Sequence, residues 1–130
     1  MWVKVGIGVV ALLHAGFAAA EIFRWENVVK FLLNLETVTD DNAIRILLLN
    51  QGAYNAFFAV GLFAVLFGAV PARQRKALAV FCLTSLTAAG LVGLLSVRDA
   101  EGSLTLGSLV FLAQIIPAAA TLWLVVRAED

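Results

Sequence analysis

Four stretches of this chain contain no Asp, Glu, Lys or Arg: those between Lys4 and Glu21, from Ile46 to Ala72, from Ala77 to Val97 and from Gly102 to Val126. Crossing about 30 Å of hydrocarbon takes about 20 mostly apolar residues in a helix, and each stretch with its immediate flanks is long enough to do it. Helices are expected near 2–23, 43–69, 75–97 and 104–127. In a chain of 130 residues these spans leave only short connections, so residues 1–130 form one transmembrane domain. A composition that is 62% hydrophobic and 14% charged excludes an ordinary water-soluble domain. The mean hydropathy of +0.98 says the same. The expected fold is all-α, an integral membrane bundle of four transmembrane helices.

Lys4, Arg73, Arg75, Lys76 and Arg127 fall on one side of that plan. Arg24, Lys30, Arg45 and Arg98 share the other side with Glu26, Glu36, Asp40, Asp41, Asp99 and Glu101. Excess Lys and Arg marks cytoplasmic loops, so both termini and the turn from Pro71 to Lys76 are expected in the cytoplasm. The first span also carries the parts of a secretory signal, namely Lys4, an apolar run and Ala18-Ala19-Ala20 before Glu21. It is expected to stay in place as a span. Between the first two spans, Val28, Val29, Leu32, Leu33 and Leu35 recur at helical spacing among Asn27, Lys30, Asn34 and Glu36, which predicts an amphipathic segment along the membrane interface. Thr39-Asp40-Asp41-Asn42 then offers side-chain oxygens to cap the second span.

Small residues at four-residue spacing (Ala11, Ala15, Ala19; Gly52, Ala56) and Gly90 with Gly93 predict closely packed helices, within one chain or between two. With zero net charge and no block of like charges, nothing points to nucleic acid. A lone cysteine, Cys82 in an apolar stretch, reads as packing.

A polar group in the apolar layer must find a partner or cost several kcal/mol, roughly 2–7 by transfer measurements. The exceptions are His14 and Glu21 in the first span, Asn50, Gln51, Tyr54 and Asn55 in the second, and Gln114 with Pro117 in the fourth. His14 and Glu21 lie seven residues apart, nearly two turns, so they share a face but stand about 10 Å apart along the axis. They cannot bond directly, but they can line one wall. Gln51, Tyr54, Asn55 and Phe58 are read as one face of the second span, with Glu21 level with Asn50 and Gln51 and His14 deeper, near Asn55 and Gln114. Pro117 frees the carbonyl of Ala113 at that depth. The expectation is a narrow polar pocket opening outward, its floor around His14 and Gln114. The plain alternative is a set of interhelical hydrogen bonds that serve packing alone.

Asn50-Gln51-Gly52-x-Tyr54-Asn55, followed by Phe57-Phe58-Ala59-x-Gly61-Leu62, resembles the uncharacterised bacterial membrane proteins grouped as the domain-of-unknown-function family thirteen-oh-four. His14 with Glu21-x-Phe23-x-Trp25, and Gln114-x-x-Pro117-Ala118, are similar to further segments of that family, so that the likeness spans the chain. Two departures stand out: Ala15 and Gly16 follow the histidine where bulkier aromatics are common, and Ile115 replaces a glycine after Gln114. The resemblance implies four spans in a bacterial inner membrane and the same polar set, with no established activity.

Three functions fit these residues. The first is binding or transport of a small amphipathic or hydrophobic molecule, in which Glu21 attracts a weakly basic group and Asn50, Gln51, Tyr54, Asn55 and Gln114 orient it beside His14, with Phe17, Phe57, Phe58 and Trp25 as apolar walls. The second is an intramembrane isomerase with His14 as acid or base, Tyr54 as its direct partner and Glu21 as a further candidate, since an unperturbed histidine titrates near pH 6.5. The third is an accessory subunit of a membrane complex. One histidine and one carboxylate fall short of a metal site, and no cofactor motif is present. Membrane lipid, a small hydrophobic ligand and a second copy of the chain are the partners left open.

Overall fold

The computed structural model describes residues 1–33, 41–96 and 107–128. Five helices follow in order: α1 (Trp2–Phe23), α2 (Trp25–Leu33), α3 (Asp41–Leu66), α4 (Ala72–Ser96) and α5 (Leu109–Arg127). Four of them, α1, α3, α4 and α5, are long and apolar enough to cross a membrane. The chain is thus all-α, with the architecture of a four-span bundle. The short α2 is the amphipathic segment, separated from α1 by Arg24, whose amide bonds the carbonyl of Ala20 while its own carbonyl accepts from Asn27 and Val28. The capping residues Thr39 and Asp40, and the expected helix ends at Val97 and 104–106, lie outside the described residues.

Several boundaries differ from the sequence expectation, among them the start of α3 at Asp41 rather than 43 and that of α5 at Leu109 rather than 104, and local chemistry explains two of the shifts. The second span stops at Leu66 rather than residue 69 because Gly68 turns left-handed, at φ 76°. Its amide bonds Val65 and the amide of Ala69 bonds Ala64, a Schellman closure that only a residue free of Cβ strain adopts at low cost. The third span starts at Ala72, three residues before the expected Arg75. Pro71 has no amide to leave unpaired, and its carbonyl accepts from Gln74 to begin the first turn. Arg75 then locks the turn, donating from Nε to Val70 O (2.8 Å) and from Nη2 to Gly68 O (3.3 Å).

The spanning helices form a ring, α1 beside α3, α3 beside α4, α4 beside α5 and α5 beside α1, so that every neighbour is antiparallel. The α1–α3 and α4–α5 pairs pack most extensively. Short connections favour this up-and-down order. Large apolar side chains such as Val9, Leu12, Phe57, Val60, Phe81, Val92 and Ile116 point out of the bundle, as lipid-facing positions require. Inside, Ile7, Val10, Ala11, Leu62, Ala79, Cys82, Leu83, Leu86, Ala118 and Val125 make one apolar cluster. Cys82 belongs to that cluster, as packing.

Glycine sets the closeness of the two main pairs. A Cβ at Gly52 would stand 2.7 Å from Ile22 Cγ1 and 3.3 Å from the backbone oxygen of Ala18, and one at Gly90 would stand 2.6 Å from Ile115 Cγ1. Gly16 meets nothing within 4 Å. Gly52→Ala is expected to destabilise the bundle by roughly 1–3 kcal/mol, the usual scale of overpacking. Gly16→Ala should be neutral or stabilising by up to about 1 kcal/mol. Reversible unfolding in mixed micelles, following helicity, measures both, and equal effects would refute the assigned α1–α3 contact.

Candidate functional site

On α1 the buried residues Ile7, Ala11, His14 and Ala18 succeed one another at spacings of four and three. Glu21, partly buried, continues the row. On α3 the buried residues Leu48, Gly52, Asn55, Ala59 and Leu62 keep the same rhythm. A repeat of alternating fours and threes is the seam of two helices packed at a shallow angle. His14 and Asn55 occupy seam positions among small and apolar neighbours, and that is why they meet.

Asn55 holds the site together. Its Oδ1 lies 2.7 Å from His14 Nδ1, and its Nδ2 donates to Glu21 Oε2 at 2.7 Å. The roles follow from the groups themselves. An ionised carboxylate only accepts, so the Asn55 amide nitrogen faces Glu21; the Asn55 oxygen then faces His14, and His14 Nδ1 must carry a proton and donate. The carboxamide bridges the two turns that separate His14 from Glu21. Protonation of Glu21 would permit the reverse order, with the acid donating to Asn55 Oδ1 and the flipped amide donating to an unprotonated His14 Nδ1. The charge state of the Glu21 carboxyl and the tautomer of the buried imidazole are therefore coupled through one side chain.

The surroundings are graded in exposure. His14 is 1% exposed, and its ring meets the edge of Phe17 with centroids 5.5 Å apart. Asn55 is 5% exposed, while Glu21, near the C-terminal end of α1, is only half-buried. Among the described residues Glu21 forms no ion pair, and Asn55 is its one hydrogen-bond partner.

The other sequence candidates lie elsewhere. Tyr54 is 60% exposed and is not the direct partner of His14; Asn55 is. Adjacent residues on a helix point about 100° apart, so only one of the two enters the seam. Asn50 and Gln51 are also exposed, on the N-terminal half of α3, and the approach of Gly52 to Glu21 Cβ puts Gln51 level with the carboxylate as expected. Gln114 does not join the floor beneath His14 through a hydrogen bond: its Nε2 donates to Leu86 O at 3.0 Å and clasps α5 to α4 beside Gly90. Spacing separates these roles only once the line of α1–α3 packing is known. The seam rhythm runs through Gly52 and Asn55, whereas the face drawn through Gln51, Tyr54 and Phe58 lies to one side of it.

No buried side-chain nitrogen or oxygen among the described residues lacks a partner. Nor do any three His, Cys, Asp or Glu residues there gather closely enough to hold a metal ion.

A four-span bundle with an ionisable pair bridged inside its α1–α3 seam defines the class: a small multi-pass membrane protein with a built polar site. Residues 8–126 match the family model described as protein of unknown function (DUF1304), and the chain belongs to that family. No curated protein and no solved structure gives a significant match.

Removing the bridge alone strands two polar groups. Asn55→Leu is expected to cost roughly 1–3 kcal/mol, the penalty for leaving a buried partner unsatisfied. Adding His14→Leu should recover part of that loss, giving a coupling of about 0.5–3 kcal/mol in a double-mutant cycle followed by unfolding in micelles. Additive effects would show that the two side chains do not share a bond.

Proposed function

We propose that this protein binds, and by alternating exposure transports, a small amphipathic molecule carrying a weakly basic or cationic group, with Glu21 as the recognition anion. The observation that carries this reading is the half-buried Glu21 carboxylate, held by Asn55 through one oxygen and without a cationic partner among the described residues. An ionisable side chain kept inside a span at such cost marks a pathway or binding site more often than architecture. The exposed Gln51 and Tyr54 on the outer half of α3 supply polar contacts beside it, and lipid-facing aromatics such as Phe57 supply apolar ones. Both termini face the cytoplasm in this reading, by the excess of Lys and Arg at that end, so the Glu21 mouth opens outward.

His14 is a positioning residue here. At 1% exposure its ring does not meet a substrate in this conformation, which weighs against the isomerase reading. By fixing the orientation of the Asn55 carboxamide it presents the amide nitrogen, and through it the carboxylate, in one geometry. A cation at Glu21 favours the ionised acid and hence the Nδ1-protonated histidine, so occupancy at the mouth is felt two turns deeper.

Equilibrium binding of tetraphenylphosphonium to the full chain in lipid nanodiscs tests the proposal. Saturable binding is expected, weakened about tenfold or more by Glu21→Gln, a loss of about 1.4 kcal/mol or more. Tyr54→Phe, at an exposed position, should reduce affinity while changing stability by less than about 0.5 kcal/mol. Binding that is absent, or that is indifferent to Glu21→Gln, would overturn the assignment.

A further inference from the structure

At the opposite end of the bundle from Glu21 lies an open cavity of about 550 Å³ that the polar site does not use. All four spans reach it: Val3, Lys4 and Ile7 of α1, Val65 and Leu66 of α3 with Phe67 and Gly68 of the following turn, Ala72, Arg75, Lys76 and Ala79 of α4, and Val125 of α5 with Ala128 just beyond. Its size is that of pockets that hold small organic ligands, typically 300–1,000 Å³.

The electrostatics are one-sided. Among the described residues of the lining the charged groups are Lys4, Arg75 and Lys76, and none is a carboxylate. Two helices, α1 and α4, begin here, so the positive ends of their dipoles point the same way. The helices that end here, α3 and α5, bring carbonyl oxygens, and cationic side chains engage those of residues just beyond the helix ends: Arg75 donates to Gly68 O and Val70 O, and Lys76 Nζ to Ala128 O at 2.8 Å. Those two bonds leave Arg75 with three of its five N–H donors, on a guanidinium fixed by the turn. Lys4, exposed, makes no hydrogen bond or ion pair among the described residues.

The depth of the walls selects among anions. Ile7, Val65, Leu66, Ala79 and Val125 continue from the charged rim toward the apolar cluster, which includes Ile7, Ala79 and Val125. A small inorganic anion would fill the rim and leave that apolar lining uncovered. A phospholipid places a phosphate at the level of the rim and a glycerol and acyl chain against the walls, and basic pockets between spanning helices at the membrane surface take anionic headgroups.

We propose that this cavity is a site for an anionic phospholipid of the leaflet at the basic end of the bundle, its phosphate held by Lys4, Arg75 and Lys76 and an acyl chain lying along Ile7, Val65 and Leu66. Arg75 serves both the turn and the lipid, so headgroup binding steadies the α3–α4 connection. The site is independent of Glu21 and stands whether or not that carboxylate binds a cation.

Native mass spectrometry of the full chain, released from neutral detergent with added phosphatidylglycerol or phosphatidylcholine, tests this. Phosphatidylglycerol should bind about tenfold or more tighter than phosphatidylcholine, and Lys4→Gln should weaken it roughly fivefold, the worth of one basic residue near an anionic headgroup. The Lys4 side chain holds no bond among the described residues, so this variant folds even if Arg75→Gln, which loses the turn, does not. Arg24→Gln, at the other end, should leave the preference unchanged. Equal binding of the two lipids, an equal loss from Arg24→Gln, no effect of Lys4→Gln, or displacement of the lipid by millimolar inorganic phosphate would each overturn the proposal.

Discussion

Inside hydrocarbon there is no water to complete a hydrogen bond, and among the described residues every buried side-chain nitrogen and oxygen of this bundle is paired. Asn55 carries the heaviest part of that requirement. A carboxamide is both donor and acceptor, so one side chain answers an imidazole on one side and a carboxylate on the other, across a gap that neither could close alone. The same rule is met more simply elsewhere: Thr87 and Ser96 turn their hydroxyls back onto Leu83 O and Val92 O, and Gln114 reaches Leu86 O. Those groups spend their bonding on the backbone. His14 and Glu21 do not, and remain ionisable groups joined to each other's state.

The two ends of the bundle answer different demands. Toward the end where Glu21 lies, α1 and α3 meet through Ala18 and Gly52, which leave little apolar area but allow the backbones close enough for a short polar bridge. Toward the basic end, Ile7, Leu62, Ala79, Leu83 and Val125 supply the apolar packing, and Arg75 fastens the turn between α3 and α4. Packing density and polar chemistry are separated along the membrane normal, so a change of state at Glu21 need not loosen the core. Near the basic end, Arg127 lies 4.5 Å above the Trp123 ring, an arrangement suited to the interface, where a cation and an indole both reach the headgroup level.

Much of this was written in the order of residues. Four charge-free stretches dictate four spans because an unpaired charge is too costly within the bilayer; the pattern around Val28 and Val29 dictates α2; and Pro71 and Gly68 dictate where one helix ends and the next begins, although the left-handed turn and the proline's missing amide shift both boundaries by three residues. His14, Glu21 and Asn55 also announce themselves, as polar residues with no reason to be in hydrocarbon unless something there needs them. Their seven-residue separation already shows that His14 and Glu21 require a mediator.

The sequence alone could not assign that mediator. Asn50, Gln51, Tyr54, Asn55 and Gln114 are all polar and all at a suitable depth, and a periodicity of three and four permits several faces through them. The choice fell to tertiary packing. Gly52 lets α3 approach α1 along one line only, and that line turns Asn55 inward, leaves Tyr54 and Gln51 on the outside, and leaves Gln114 to clasp α4. Chain order determined which groups must be satisfied, because solvation in the bilayer depends on residue type and depth; the three-dimensional fold decided which group satisfies which, because a hydrogen bond depends on distances that only packed helices set.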